Sequence, residues 1–227
     1  MGIQNVLKLF YTYSGLQLNS GKSELFYTGI AQPVIEEIRS ATGFQIGHLP
    51  VRYLGVPLIT RRLTLGDCSM LIDKITARIQ CWITKYLTYA GRLQLIKSVL
   101  YSIQSYWCRQ FILPKGVIKR VNQLCSNFFW KGNDKPSKGA RISWYDICHP
   151  KVEGGLGLKD TLSWNKACVM QNIWSIMVKA GSLWIAWIEA YVLKGRSFWE
   201  ISASTSNSWN WRKLLQLRTW ANRFVDW

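Results

Sequence analysis

Acidic side chains are scarce in this chain. Its 227 residues include 12 Asp plus Glu and two histidines, and no two aspartates are adjacent or nearly so. Two-metal phosphoryl chemistry needs converging carboxylates, and local sequence assembles none here. Glu36 and Glu37 are the one touching acidic pair, and on a helix they diverge. Cys148 beside His149 makes a poor nucleophile and base, because adjacent residues of a strand face opposite ways and no orienting acid is identifiable. The six cysteines include no pair two residues apart, which excludes a disulfide framework and a zinc spacing. They read as reduced, mostly buried intracellular thiols. No charged region leading into an apolar run and a cleavage site opens the chain, so no secretory signal is read. The most apolar stretch, Ile173 to Leu193, contains Lys179, Gly181 and Glu189, charges too deep for a membrane span. Gly154 to Gly157 lacks the spacing and the Gly-Lys-Ser/Thr ending of a phosphate loop. The expected catalytic and metal-binding sets are therefore empty.

Basic residues are plentiful. Twenty-nine Lys plus Arg leave a net charge of +17. Such an excess repels itself unless a polyanion neutralises it, which points to nucleic acid or an anionic surface. The charge is uneven: residues 1–60 carry +1, residues 61–141 carry +12 from 15 basic and 3 acidic side chains, and residues 142–227 carry +4. Thirteen tryptophans accompany it. Their faces can stack on bases, although most are expected in the core.

Residues 61–141 read most clearly as helix. Ile72, Ile75, Ile79, Trp82, Ile83 and Tyr86 define one apolar face, while Lys74, Arg78 and Lys85 form a separate basic row. Leu93, Ile96, Leu100, Ile103 and Trp107 predict a second helix, about 30 Å long. Pro114 suits the first turn of a third, with Val117, Val121, Leu124 and Phe128 inward, Lys115, Lys119 and Arg120 elsewhere, and Gly132 at its end. These three suggest a small bundle with a basic outer surface. Upstream, a helix is expected over 33–42, with Ile35 and Ile38 inward. Short strands are expected at Ser23 to Tyr27 and Arg52 to Leu58, the second an edge or hairpin strand because of Pro57. Downstream, 132–139 reads as a polar loop, Glu153 to Gly157 as a tight turn, and 161–179 and 183–194 as Trp-rich helices. Ser202 to Ser208 reads as a linker before a basic segment with Arg212, Lys213, Arg218 and Arg223.

Several segments, in order, resemble the reverse transcriptases of plant LINE-type (non-LTR) retrotransposons. SGLQLNSGKSELF, Ser14 to Phe26, resembles the palm segment just after that family's catalytic double-aspartate box, with Gly15, Asn19 and Lys22 on matching positions. LPVRYLGVPLITRR, Leu49 to Arg62, resembles the primer-grip hairpin. YAGRLQLIKSVLYSIQSYWC, Tyr89 to Cys108, and FFWKG, Phe128 to Gly132, resemble the thumb and the segment after it. ISW, CHPK and EGGLGLKD, within Ile142 to Asp160, resemble the connection toward a zinc-binding region. The resemblance covers nearly the whole chain. It implies that the catalytic aspartates lie upstream of Ser14, and Met1 to Tyr13 contains no Asp. It also implies that fingers, most of the palm and the zinc motif are absent. The Mg²⁺ and Zn²⁺ of the family then fall outside this chain, whose own cofactor set is expected to be empty.

Together these readings give a mainly α fold with a small β portion: an α+β palm edge over 1–62, a basic thumb-like bundle over 63–132, and a connection with Trp-rich helices over 133–227. The expected function is that of a catalytically inactive reverse-transcriptase fragment. It would hold RNA, DNA or their hybrid through nonspecific backbone contacts, inside the cell and away from membranes. The candidate contact residues are Lys22, Tyr53, Gly55, Arg61, Arg62, Lys74, Arg78, Lys85, Arg92, Lys97, Lys115, Lys119 and Arg120. Lys22 reads either as a triphosphate-site lysine or as a solvated turn residue, and Tyr53 to Gly55 either as a primer grip or as a plain hairpin core. The basic rows read either as backbone contacts or as solvated helix faces. A helical remnant or protein-interaction module without a nucleic-acid role is the alternative for the whole chain.

Overall fold

The computed structural model describes residues 2–59, 61–83, 86–134, 142–204 and 207–222. The fold is mainly α with a small β portion. It divides into two compact units, residues 1–60 and residues 61–227.

The first unit opens with helix α1 (Gly2–Ser14), for which the sequence reading had no expectation. Strand β1 (Glu24–Leu25) follows, then α2 (Gln32–Thr42) and β2 (Gln45–Ile46). Pro33 lies in the first turn of α2, Ile35 is buried, and Gly43 ends the helix in the left-handed region at φ 70°, as Pro and Gly at opposite ends favour. β1 and β2 pair in parallel. A hairpin of β3 (Val51–Tyr53) and β4 (Val56–Leu58) completes the unit, with Pro57 opposite Arg52. Its two-residue turn places Leu54 at φ 51° and Gly55 at φ 81°. That is the double left-handed geometry which matches strand twist, and which glycine adopts without strain.

The second unit holds nearly all of the core. Helix α3 (Ser69–Ile83) buries Leu71, Ile75 and Ile79 completely. The apolar stripe is thus one turn-edge away from the expected face, and Ile83 and Tyr86 are exposed. Helix α4 (Tyr89–Leu95), capped by the Thr88 hydroxyl, runs into a π-wound segment, Ile96–Leu100, and then α5 (Tyr101–Gln110). The expected single helix is therefore continuous but widened at its centre. Helix α6 (Lys115–Lys131) buries Val117, Val121, Leu124 and Phe128 and ends at Gly132, φ 73°.

A short helix, α7 (Trp144–Ile147), and the turn through Glu153 lead to α8 (Thr161–Met177), capped by Asp160. Helix α8 packs on α5 and α6. Its Val169, Ile173 and Ile176 join a second apolar cluster with α9 (Leu183–Trp187), α10 (Trp209–Gln216) and α11 (Arg218–Ala221). A helix with partners on two sides carries apolar residues around much of its girth. Of the described tryptophans only Trp107 and Trp211 are buried. The expectation of a mostly internal set is corrected: Trp174, Trp184, Trp187 and Trp220 are exposed, the last three on short helices, α9 and α11, that leave too few neighbours to cover rings of this size.

Candidate nucleic-acid interface

Lys74 and Arg78 stand one turn apart on α3 and are exposed, with Asp73 the single carboxylate of that helix. Lys115, Lys119 and Arg120 are exposed on α6, which contains no acidic residue. Helices α3 and α6 pack against each other, so both rows sit on one rigid pair. Among the described residues, none of these five has a carboxylate partner: the ion pairs are Arg39–Glu36, Arg61–Asp67 and Lys179–Glu189. Arg120 does donate to Gln123 Oε1 at 3.2 Å, a neutral partner that leaves its charge uncompensated.

The other candidates occupy different settings. Arg61 grips Asp67 through two bonds of 2.7 and 2.9 Å, and Thr64 donates to the same carboxylate from its amide and its hydroxyl. The guanidinium holds the Asp67 carboxyl far below the ordinary carboxylate range against the opposing effect of burial. Arg92 is half-buried. It donates to Phe129 O at 2.9 Å, Trp130 O at 3.2 Å and Leu87 O at 3.1 Å, and covers the Tyr89 ring. Much of its donor set thus serves the last turn of α6. Lys97 donates to Leu156 O at 3.0 Å. Lys22 is exposed on a 3₁₀ turn, Ser20–Lys22. Tyr53 is exposed beside the hairpin turn that contains Gly55. Lys85 lies outside the described residues.

Arg62 and Lys115, far apart in sequence, line one cavity of about 480 Å³ together with Lys166, Lys213 and Trp209. Sequence reasoning gave Lys213 only as part of a basic segment and Lys166 not at all. Their shared location is a product of tertiary packing, with no local signal. The turn entering α6 is fixed from below by Asn165, 2% exposed. Its Oδ1 accepts from Leu113 N at 2.8 Å, and its Nδ2 donates to Cys108 O at 3.0 Å and Phe111 O at 2.8 Å.

Four of the thiols offer little reactivity. Burial pushes Cys68, Cys108 and Cys125 up to about 12, and Cys148 up to about 11, with the Asp160 charge adding to the effect. Such groups stay protonated at neutral pH and are poor nucleophiles. All six cysteines are free, and four are buried. Among the described residues no three His, Cys, Asp or Glu side chains converge in a group that could hold a metal ion. The EGGLG segment is structural: Gly155 N donates to Pro150 O and Gly157 N to His149 O. No helix among the described residues is long and apolar enough to cross a membrane.

No family model matches the sequence. Over 176 residues the chain is 28% identical to an Arabidopsis thaliana protein provisionally named a ribonuclease H protein, covering 76% of this chain and 28% of that protein. Over 114 residues it is 25% identical to an uncharacterized mitochondrial protein of the same plant, covering 50% of this chain and 74% of that protein. The chain therefore spans less than a third of the length of the first of these relatives.

Proposed function

We propose that the chain is a retroelement-derived reverse-transcriptase segment, of the thumb and connection type, that holds a nucleic-acid backbone on α3 and α6. The observation that carries this reading is the pair of exposed cation rows, Lys74–Arg78 and Lys115–Lys119–Arg120, on two helices packed together that carry one carboxylate between them, Asp73. A solvated helix face normally mixes both signs, whereas a phosphate-tracking face needs cations alone. The five ordered sequence segments and a relative named for ribonuclease H add support from outside the geometry. Binding is sequence-independent on this reading, because phosphates carry no base information.

The test is the salt dependence of binding to an RNA–DNA hybrid. About five phosphate contacts give a log–log slope near −4 to −5, and Lys119→Glu with Arg120→Glu lowers its magnitude by about 2. A salt-independent curve, or no binding at low salt, overturns the reading. A second reading, a protein-interaction module, is favoured by the exposed Leu183, Trp184, Trp187 and Tyr191 along one short helical stretch. Contiguous exposed aromatics of this kind mark contact surfaces. Loss of solubility relieved by Trp184→Ser and Trp187→Ser, with no hybrid binding at any salt, favours it instead.

A further inference from the structure

We propose that the cavity at the start of α6 is a pocket for one unpaired nucleotide of a single strand, with the phosphate on its four cations and the base against Trp209. The inference rests on the nucleic-acid reading above and names what this one place takes. The cavity, about 480 Å³, falls within the usual size of small-ligand clefts. Its walls come from four separated stretches of the second unit: Arg62, the turn into α6, the first half of α8, and α10.

Arg62, Lys115, Lys166 and Lys213 line it, and no Asp or Glu does. Among the described residues none of the four belongs to an ion pair. Lysines placed around one void normally find carboxylates or splay apart. Here two are held by neutral groups instead. Lys213 Nζ donates to Gln216 Oε1 at 2.7 Å and lies 5.9 Å from the centre of the Trp209 ring, and Lys166 Nζ lies 4.5 Å from that of Trp220. Such partners position a cation without cancelling its charge. Helix α6 also begins without a side-chain cap, and its first residues, Lys115 and Gly116, line the same space. The orphan amides of that first turn add to the positive field.

Apart from the uncharged polar side chains of Asn165 and Gln216, the remaining lining is apolar, with Leu113, Leu162 and Leu217 beside Trp209. Inorganic phosphate would leave that floor unused, and an acyl chain would leave the cations unused. A nucleotide has both a flat apolar face and an anionic group. A base inside a duplex is stacked and cannot enter, so the occupant is a single-stranded or frayed residue. Asn165 makes the floor rigid by tying the turn at Leu113 to the end of α5.

Fluorescence anisotropy on the full chain, with a short labelled oligothymidylate and a blunt RNA–DNA hybrid as probes, tests this. Lys166→Gln with Lys213→Gln is expected to weaken oligothymidylate binding about tenfold or more by removing two phosphate contacts. Trp209→Leu is expected to weaken it about fivefold or more, the loss of one stacked base. Hybrid affinity stays within about twofold in both, since Lys166, Lys213 and Trp209 belong to neither of the rows on α3 and α6 that hold it. Far-UV melting checks that each variant folds, and Arg62→Gln, on an exposed side chain that lines the cavity but belongs to neither helical row, replaces either one that does not. Unchanged oligothymidylate affinity, equal losses on both probes, or no oligothymidylate binding by the unsubstituted protein overturns the pocket while leaving the hybrid curve to judge the wider reading. Loss of hybrid binding alone, with pocket-dependent binding of the single strand, overturns the wider reading and keeps the pocket.

Discussion

Asn165 is a buried polar side chain of the helical unit, and all three of its bonds go to main-chain groups running from the end of α5 to the turn into α6. Replacing it by Leu would fill a similar space yet leave one amide and two carbonyls buried without partners. The expected cost is about 3 kcal/mol or more, read from urea denaturation, because orphaned buried groups forfeit their full desolvation energy. Gly155 is constrained differently. A Cβ there would stand 2.0 Å from His149 O and 2.5 Å from His149 C, and backbone cannot yield as a side chain would. Gly155→Ala is expected to lower Tm by about 10 °C, corresponding to a loss of roughly 3 kcal/mol. Asp67 supplies a pH dependence. Its carboxyl is lowered first by the bond from Arg61, with Thr64 contributing against burial. The stability it contributes is complete above the ordinary carboxylate pKa of about 3.9 and is lost as pH falls through the depressed folded value. The difference in unfolding free energy between the parent protein and Asp67→Asn should therefore shrink on acidification below about pH 4; a constant difference would remove Asp67 as the titrating group.

At the scale of elements, the last turn of α6 depends on a residue of α4. Arg92 spans the carbonyls of Phe129 and Trp130, which a helix leaves without internal partners. Arg92→Ala is expected to cost about 2 kcal/mol in a denaturant titration, and Arg92→Lys to recover less than half of it, since an ammonium lacks the planar fork. Full recovery by Lys would show that charge alone matters. How far such elements could be read from sequence follows from how local their causes are. Val117, Val121, Leu124 and Phe128 repeat in threes and fours, with Pro114 before them and Gly132 after, so α6 was legible from end to end. Helix α1 was not: it has no acidic first turn and no basic last turn, and its Val6, Leu9, Phe10 and Tyr13 are exposed rather than aligned on a core. Strand β1 falls within the strand expected at Ser23 to Tyr27, but its partner β2, joined to it across the whole of α2, is only two residues long, too short for alternation to register. The π-wound Ile96–Leu100 shares its apolar repeat with an ordinary helix. For the site, the rows on α3 and α6 were legible because each lies on one helix. The cavity was not, because Arg62, Lys115, Lys166 and Lys213 meet only through packing.

For the whole molecule, the decisive quantity is uncompensated charge. The net +17 is concentrated as +12 over residues 61–141, and the described ion pairs are three, two of them between partners that are both more than a third exposed. Repulsion among the remaining cations is present in the folded state and relaxed in the expanded one, so it subtracts from stability. Added salt screens that repulsion over a length of about 10 Å at 0.1 M, and has few attractive pairs to weaken in return. The protein is therefore expected to gain stability with ionic strength, Tm rising by about 2–4 °C for each kcal/mol of repulsion removed. A bound polyanion should raise it further in low salt, because a ligand of the folded state stabilises by mass action, and that increment should fade as salt competes for the phosphates. The two trends run in opposite directions with salt, which makes them separable in one differential scanning series with and without oligonucleotide. A Tm that falls with salt in the free protein would mean that its cations are already paired internally, and the basic rows would then be ordinary solvated faces.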